Sequence, residues 1–296
     1  MLYFKFIKTT RLGNWLFQYA AAMSLSDEVS GYVPCSEMDS AIAEYHEIFG
    51  DKIPLIRELP EGVCYCSEKE WTDLCKDITK VVCLNGYFQG ERYFNAEKVR
   101  AAFAISQSRK EYLMARYGEW LKRPNITGIS VRRGDYLKLA SRYTPCTMKY
   151  YRRCLAMLPE CKDFIVCSDD IEWCKREFPK AFPSRRFCFV EREHPLNQLY
   201  IQALCVNNVI PNSTFSWWGA YLNEKAYKKI LMPKSWFGLI YKMDGNKDDD
   251  IFIKGATLVS NRYTALGWLT AYMEYSWMKL KHRLYPIKRY LTVNLV

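Results

Sequence analysis

Residues 127–135 read Thr127-Gly-Ile-Ser-Val-Arg-Arg-Gly-Asp135, and residues 207–219 read Asn207-Asn-Val-Ile-Pro-Asn-Ser-Thr-Phe-Ser-Trp-Trp-Gly219. Each opens on an apolar run of strand length. Each then passes through small or polar residues into a helical pattern. Between and around them the same alternation repeats. Strands are predicted at 127–131, 164–167, 187–190 and 208–210. Helices are predicted at 149–158, 170–178, 195–205 and 215–222, and a last strand at 229–232 closes the set. Strand–helix alternation of this kind predicts a parallel sheet wrapped by helices.

Upstream, Pro124-Asn125 breaks the chain and the texture changes. Residues 2–7 read as a strand, 9–13 as a turn and 14–26 as a helix, with Leu16, Tyr19, Ala20 and Met23 at spacings of three and four. Residues 81–84 read as a buried strand, 96–103 and 108–121 as helices, and 27–85 as a less regular mixture. The predicted division is a domain over 1–125, a second over 126–261 and a basic, aromatic tail over 262–296.

Composition bounds what such a chain does. At 296 residues with 49% hydrophobic and 25% charged side chains, it supports one large or two medium domains and excludes disorder for most of its length. The N-terminus, broken by Lys5 and Lys8, has no apolar signal core. The uncharged run 195–223 is interrupted by Asn207, Asn208, Pro211, Asn212 and Ser213, so it reads as core plus loop and not as a membrane span. The twelve cysteines follow no regular spacing and read as scattered thiols of the cytoplasm. Cys64, Cys66, Cys75 and Cys83 fit no paired zinc knuckle. The net charge of +11 points to an anionic partner. Much of it gathers in residues 262–296, where six basic side chains face the single acid Glu274, and no nucleic-acid module accompanies it.

Four patterns fall where strands end and helices begin, the usual place for nucleotide chemistry. In Thr10-Arg11-Leu12-Gly13-Asn14, Gly13 either makes a tight turn or lets backbone amides approach a charged ligand. Arg132-Arg133-Gly134-Asp135 offers two guanidinium forks suited to a diphosphate, or a surface charge cluster. Adjacent strand residues face opposite ways, so one Arg can face a cleft while its neighbour pairs with a carboxylate. In Ser168-Asp169-Asp170, Asp170 is a helix cap, which leaves Asp169 to accept from a ribose hydroxyl or a guanine edge. In the fourth, Ser213, Thr214 and Phe215 open a helix and form a phosphate seat of hydroxyls, amides and helix dipole, while Trp217 and Trp218 read as core.

Together these residues carry a resemblance to glycosyltransferase family 11, the α-1,2-fucosyltransferases. The run Thr10–Ala20 is similar to the family's G-R-x-G-N-Q-x-F-Q-Y. Gly86-Tyr87-Phe88-Gln89, Tyr93-Phe94, Val131–Tyr136, Ser168–Asp170, Leu199-Tyr200, Asn212–Ala220 and Pro233–Phe237 follow in family order, over about residues 3–240. Three departures stand out: Ser130 where H-x-R-R-x-D has His, Thr10 and Trp15 for Gly and Gln, and Pro211 before Asn212.

The resemblance implies a GT-B-like α/β fold, two Rossmann-type halves facing a cleft. It implies inverting transfer of L-fucose from GDP-β-L-fucose to a hydroxyl of a glycan acceptor, O2 of a galactose, without a metal. The basic residues would take a metal's place at the diphosphate, and Asp248–Asp250 reads as a solvated turn. On this reading Gly13, Arg132, Arg133, Asp169, Ser213, Thr214 and Phe215 bind the donor. Arg132 or Arg133 stabilises the leaving phosphate, Asn14 holds the substrates together, and Asp135 is either the base or a group that orients an arginine. Rival readings are an α-1,6 or protein O-fucosyltransferase, and a GDP-binding member with impaired catalysis through Ser130. The tail alternates Leu266, Trp268, Leu269, Tyr272, Met273, Trp277, Leu280 and Leu284 with lysines and arginines. It reads either as a helix packed back on the protein or as a peripheral contact with the cytosolic face of the inner membrane, where a lipid-linked acceptor would lie.

Overall fold

The computed structural model describes residues 1–262 except 51, 75–79, 140, 244 and 246, together with 269, 273 and 276. Two parallel sheets form. The first contains β1 (Leu2–Lys5), β2 (Val29–Tyr32), β3 (Leu55–Ile56), β4 (Cys64–Cys66) and β5 (Val82–Leu84), in the order β3-β2-β1-β5-β4. The second contains β6 (Thr127–Val131), β7 (Asp163–Ser168), β8 (Arg186–Phe189), β9 (Asn207–Val209), β10 (Ile230–Pro233) and β11 (Thr257–Val259), in the order β11-β10-β9-β6-β7-β8. Every pairing within both sheets is parallel. The chain lays β6, β7 and β8 outward in one direction, then returns to lay β9, β10 and β11 in the other. That is the doubly wound order of a dinucleotide-binding fold, with its switch point between β6 and β9. The first sheet switches between β1 and β5. Two Rossmann-type halves in a GT-B-like arrangement are the result.

The second sheet follows its sequence pattern closely, because its central strands are buried on both faces and read as plain apolar runs. All five residues of β6 are buried. Ile129 and Val131 pack with Tyr150, Tyr151, Phe164 and Phe178 on one face. Three features differ from the sequence reading. Residues 27–85 hold β2, β3 and β4, each of two to four residues and too short for a period to show. The strand set does not close at 229–232, since β11 adds an edge strand with only its last residue buried. The first helix begins at Leu12 and not at Asn14.

The two halves share one apolar core. Phe17, on the Leu12–Leu25 helix, places its ring 4.6 Å from Trp217 and 4.7 Å from Trp218, on the Thr214–Tyr221 helix. Both tryptophans are fully buried, as the sequence indicates. Trp15, in place of the family Gln, packs edge-on against Phe6 at 5.5 Å as a core residue. Asp248–Asp250 is not a free solvated turn. Asp248 accepts from the Phe237 amide at 2.9 Å and pairs with Lys242 at 2.6 Å, and Asp250 pairs with Arg92 of the first half at 2.9 Å.

Among the described residues, no helix is long and apolar enough to cross a membrane and no group of three or more His, Cys, Asp or Glu is placed to hold a metal ion. Cys75 lies outside the described residues. So does the tail reading, apart from Arg262, Leu269, Met273 and Ser276.

Candidate functional site

In a doubly wound sheet the ligand crevice lies beyond the carboxyl ends of the strands at the switch point. Here four segments leave the two switch points: 6–14 after β1, 85–89 after β5, 132–135 after β6 and 210–215 after β9. Most of the predicted site residues lie on these segments, and Asp169 follows the neighbouring β7.

Gly13 sits in the first turn of the Leu12–Leu25 helix. A Cβ there would lie 2.5 Å from the Phe215 amide nitrogen and 2.6 Å from Thr214 Oγ1. Its carbonyl accepts from Trp218 Nε1 at 3.0 Å. The missing side chain therefore lets two helix starts touch, and the space over Gly13 is filled by Thr214 and Phe215. This replaces the sequence expectation of a turn or an open ligand cradle. The consequence for charge is larger than a single turn could give. Two helix N-termini lie side by side, and each has the first-turn amides and positive dipole end of a helix start. Neither Arg11 nor Ser213, the residues preceding these helices, caps its own helix with a side-chain hydrogen bond. Asn14 accepts from Gln89 Nε2 at 2.8 Å, which ties the β1 segment to the β5 segment.

The paired arginines separate as adjacent strand residues should. Arg132 donates from Nη2 to Asp135 at 2.7 Å and pairs through Nη1 with Asp169 at 3.1 Å. Its guanidinium also lies 5.4 Å from the Tyr136 ring centroid. Arg133 turns away. Its guanidinium stacks 3.9 Å over Trp173 and donates to Asp170 at 3.0 Å, while its backbone amide donates to Asp169 at 2.8 Å. Arg133 thus anchors the Ile171–Ala181 helix through its Nε and its stacked face. Asp170 caps that helix, accepting from the Trp173 amide at 3.2 Å. Asp169 has an arginine partner on each carboxylate oxygen. One of its oxygens takes the Arg133 amide and the other faces Arg132, so its carboxylate sets the position of the arginine pair. Ser130 lies inside β6 in register with Cys167, two residues below Arg132, and its carbonyl accepts from Tyr151 at 3.0 Å.

Sequence reasoning passed over four residues here. Gln18, fully buried, donates to the Lys5 carbonyl at 2.7 Å and the Gly86 carbonyl at 2.9 Å, bracing the ends of β1 and β5. The Glu68 carboxylate accepts from the Tyr87 and Phe88 amides. Gln89 holds Asn14. Tyr136 joins a group of tyrosines, stacking on Tyr143 at 4.4 Å, with Tyr241 edge-on to Tyr143 at 5.3 Å. Burial pushes the Tyr136 and Tyr143 phenols well above their ordinary range, so both are neutral donors at physiological pH. Gln18, Gln89 and Tyr136 belong to motifs quoted from the sequence, and Glu68 belongs to none. What was missing was any local sign of what they touch.

The profile of glycosyl transferase family 11 matches residues 67–242, more than half of the chain. The chain is 25% identical over 282 residues to the O-antigen biosynthesis glycosyltransferase WbnK of Escherichia coli, covering 76% of this chain and 92% of that one. It is 32% identical over 164 residues to an alpha-1,2-colitosyltransferase of Escherichia coli, covering 51% and 55%. It is 25% identical over 266 residues to galactoside alpha-(1,2)-fucosyltransferase 1 of Alouatta caraya, covering 78% and 69%. The motifs after β5, β6, β7 and β9 lie inside the matched span, at or beside the switch points of the two sheets, and the chain belongs to glycosyl transferase family 11.

Proposed function

We propose that the protein transfers L-fucose from GDP-β-L-fucose, with inversion, to O2 of a galactose in a glycan acceptor. The observation that carries the reading is the meeting of two helix N-termini at Gly13, with Arg132 just past β6, the strand that pairs with β9. Arg132 directly follows β6, and β9, which leads to Ser213, pairs with β6 at the ordinary strand spacing of about 4.8 Å. The donor's diphosphate meets the amides of Thr214 and Phe215 and the start of the Leu12–Leu25 helix. Arg132, held by Asp135 and Asp169, meets the β-phosphate.

In the reaction the acceptor hydroxyl oxygen bonds to C1 of fucose while the bond from C1 to the β-phosphate oxygen breaks. GDP leaves with that electron pair. The negative charge growing on it falls beside Arg132 and the helix dipoles, which are already oriented and need no rearrangement. Asp135 is half-exposed and uses one oxygen for Arg132, which leaves the other to take the hydroxyl proton. A weak base suffices because the transition state has oxocarbenium character. Asn14, fixed by Gln89, holds the substrates in line. Fixed positive groups neutralise the diphosphate, so the reaction on this reading needs no metal.

Two of the related proteins are named as 1,2-transferases, which supports the linkage. The 32% likeness to a colitosyltransferase favours a second reading, in which the donor carries colitose. The test is turnover of GDP-fucose with β-galactoside, glucosaminide and galactosaminide acceptors, with and without EDTA, in competition with a colitose donor. Fucose transfer to the galactoside that survives EDTA is expected. Activity abolished by EDTA and restored by Mn²⁺ would overturn the metal-free mechanism, and transfer from the colitose donor alone would exchange the sugar.

A further inference from the structure

The turn Gly86-Tyr87-Phe88-Gln89 leaves β5 at the first switch point and is fastened on every side. Gln18 donates to the Gly86 carbonyl, Glu68 accepts the next two amides, and Gln89 donates to Asn14. The Phe88 ring is fully buried, 5.5 Å from Trp71 and 5.6 Å from Tyr93. Phe88 also holds φ at +50°, in the left-handed region that side-chain-bearing residues seldom adopt. Such strain persists only where the surroundings over-determine it, and it gathers at functional sites. A Cβ on Gly86 would lie 2.5 Å from Glu68 Oε2, so the carboxylate needs the glycine to reach its two amides. The turn leaves one ring in the open: Tyr87, 43% exposed.

Two residues beyond Tyr87, Gln89 holds Asn14 at 2.8 Å, so the exposed ring stands on the turn that is tied to the start of the Leu12–Leu25 helix; burial, then Tyr241 and Glu68, push its phenol upward. From Tyr241 the aromatic series runs through Tyr143 to Tyr136, beside Arg132 and Asp135. All of these rings follow carboxyl ends of strands: Tyr87 after β5, Tyr136 and Tyr143 after β6, Tyr241 after β10. Rigid rings with phenol hydroxyls match a pyranose, which has an apolar C–H face and a rim of hydroxyls.

We propose that Tyr87, exposed on the turn that holds Asn14, forms the seat of the acceptor sugar. This rests on the transferase reading above. The alternative occupant of an aromatic surface in such an enzyme is the guanine of the donor. The position favours the acceptor. The rings lead to the Arg132–Asp135 pair, where the bond is exchanged and where the acceptor oxygen must come within about 3–3.5 Å of the reacting carbon. The guanine lies a ribose and a diphosphate away from that carbon.

The experiment compares wild type, Tyr87→Ala and Tyr87→Phe. It measures acceptor KM and kcat, donor KM, GDP affinity by calorimetry, and β-galactoside binding to the GDP-loaded protein by saturation-transfer NMR. Tyr87→Ala should raise the acceptor KM about tenfold, the loss expected for one aromatic contact. GDP affinity and melting temperature should stay unchanged, and Tyr87→Phe should keep most of the acceptor affinity. An unchanged acceptor KM in Tyr87→Ala overturns the proposal. So does a matching loss of GDP affinity, which would assign the ring to the nucleobase. If wild type transfers fucose to no acceptor, the transferase reading fails, and the NMR measurement still decides the seat: galactoside binding that depends on Tyr87 upholds it, and no binding overturns it.

Discussion

Arg132 and Arg133 share a peptide bond and serve different parts of the molecule. Alternation at a strand end sends Arg132 to Asp135 and Asp169, and Arg133 to Asp170 and the face of Trp173. Arg132→Ala is expected to lower kcat by the equivalent of roughly 2–4 kcal/mol, the usual loss for one group that stabilises developing charge. Its melting temperature should change little. Arg133→Ala should lose stability, on the order of 1–2 kcal/mol for a cation stacked on an indole and paired with a carboxylate, with a smaller kinetic effect. Steady-state kinetics alongside thermal melts separates the two, and equal kinetic losses at unchanged melting temperature would contradict the division. The sequence alone supplied the opposite facings, since they follow from backbone geometry. It could not say which arginine faced the crevice, because Asp169 and Trp173 arrive from β7 and the helix after it.

At the level of elements, the proposed anion site is the contact between the Leu12–Leu25 and Thr214–Tyr221 helices. Gly13 permits it, and the atoms a Cβ would strike include backbone, which cannot swing aside as a side chain can. Gly13→Ala is expected to cost about 1–3 kcal/mol in stability, typical of overpacking a well-filled core. It should also raise the donor KM, because the two helix starts must move apart. Calorimetric GDP binding with a chemical denaturation series checks both effects. An alanine variant with wild-type stability and wild-type GDP affinity would mean that the helix starts do not act as one site. Gly13 was legible as a constrained position. Its partner, some two hundred residues later in the chain, was not.

The whole molecule is two sheets joined through one core, braced by the Arg92–Asp250 pair and by the Lys254 amide on Glu91 at 2.6 Å. The predicted boundary at 125 falls in the turn before β6, yet the packing of Phe17 on Trp217 and Trp218 runs across it. We propose that the segment beyond Arg262, whose sequence interleaves basic and aromatic residues, contacts an anionic surface, where each lysine or arginine contributes about 1 kcal/mol. We expect the full chain to float with anionic liposomes and a chain ending at Arg262 to stay behind. Ending there keeps Asn261, whose side chain accepts from the Ser235 amide and donates to the Thr144 and Ser235 carbonyls. Equal behaviour of the two chains would assign the tail to packing.

The sequence by itself determined the parallel second sheet, the cores of its strands, the buried tryptophan pair and the segments that border the crevice. These are local matters: an apolar run buried on both faces, a cap or a glycine at a strand end, each readable within about ten residues. Only the tertiary structure decided that Asp169 is occupied by arginines, that Gly13 serves a helix contact, that Asp248 and Asp250 are pinned, and that Tyr87 stands exposed on a strained turn. It also supplied β2, β3, β4 and β11, strands of two to four residues that exist because neighbours complete their hydrogen bonds. Each of those outcomes depends on which distant group fills the space or takes the hydrogen bond, and that is settled by how the two sheets pack and not by any window of the chain.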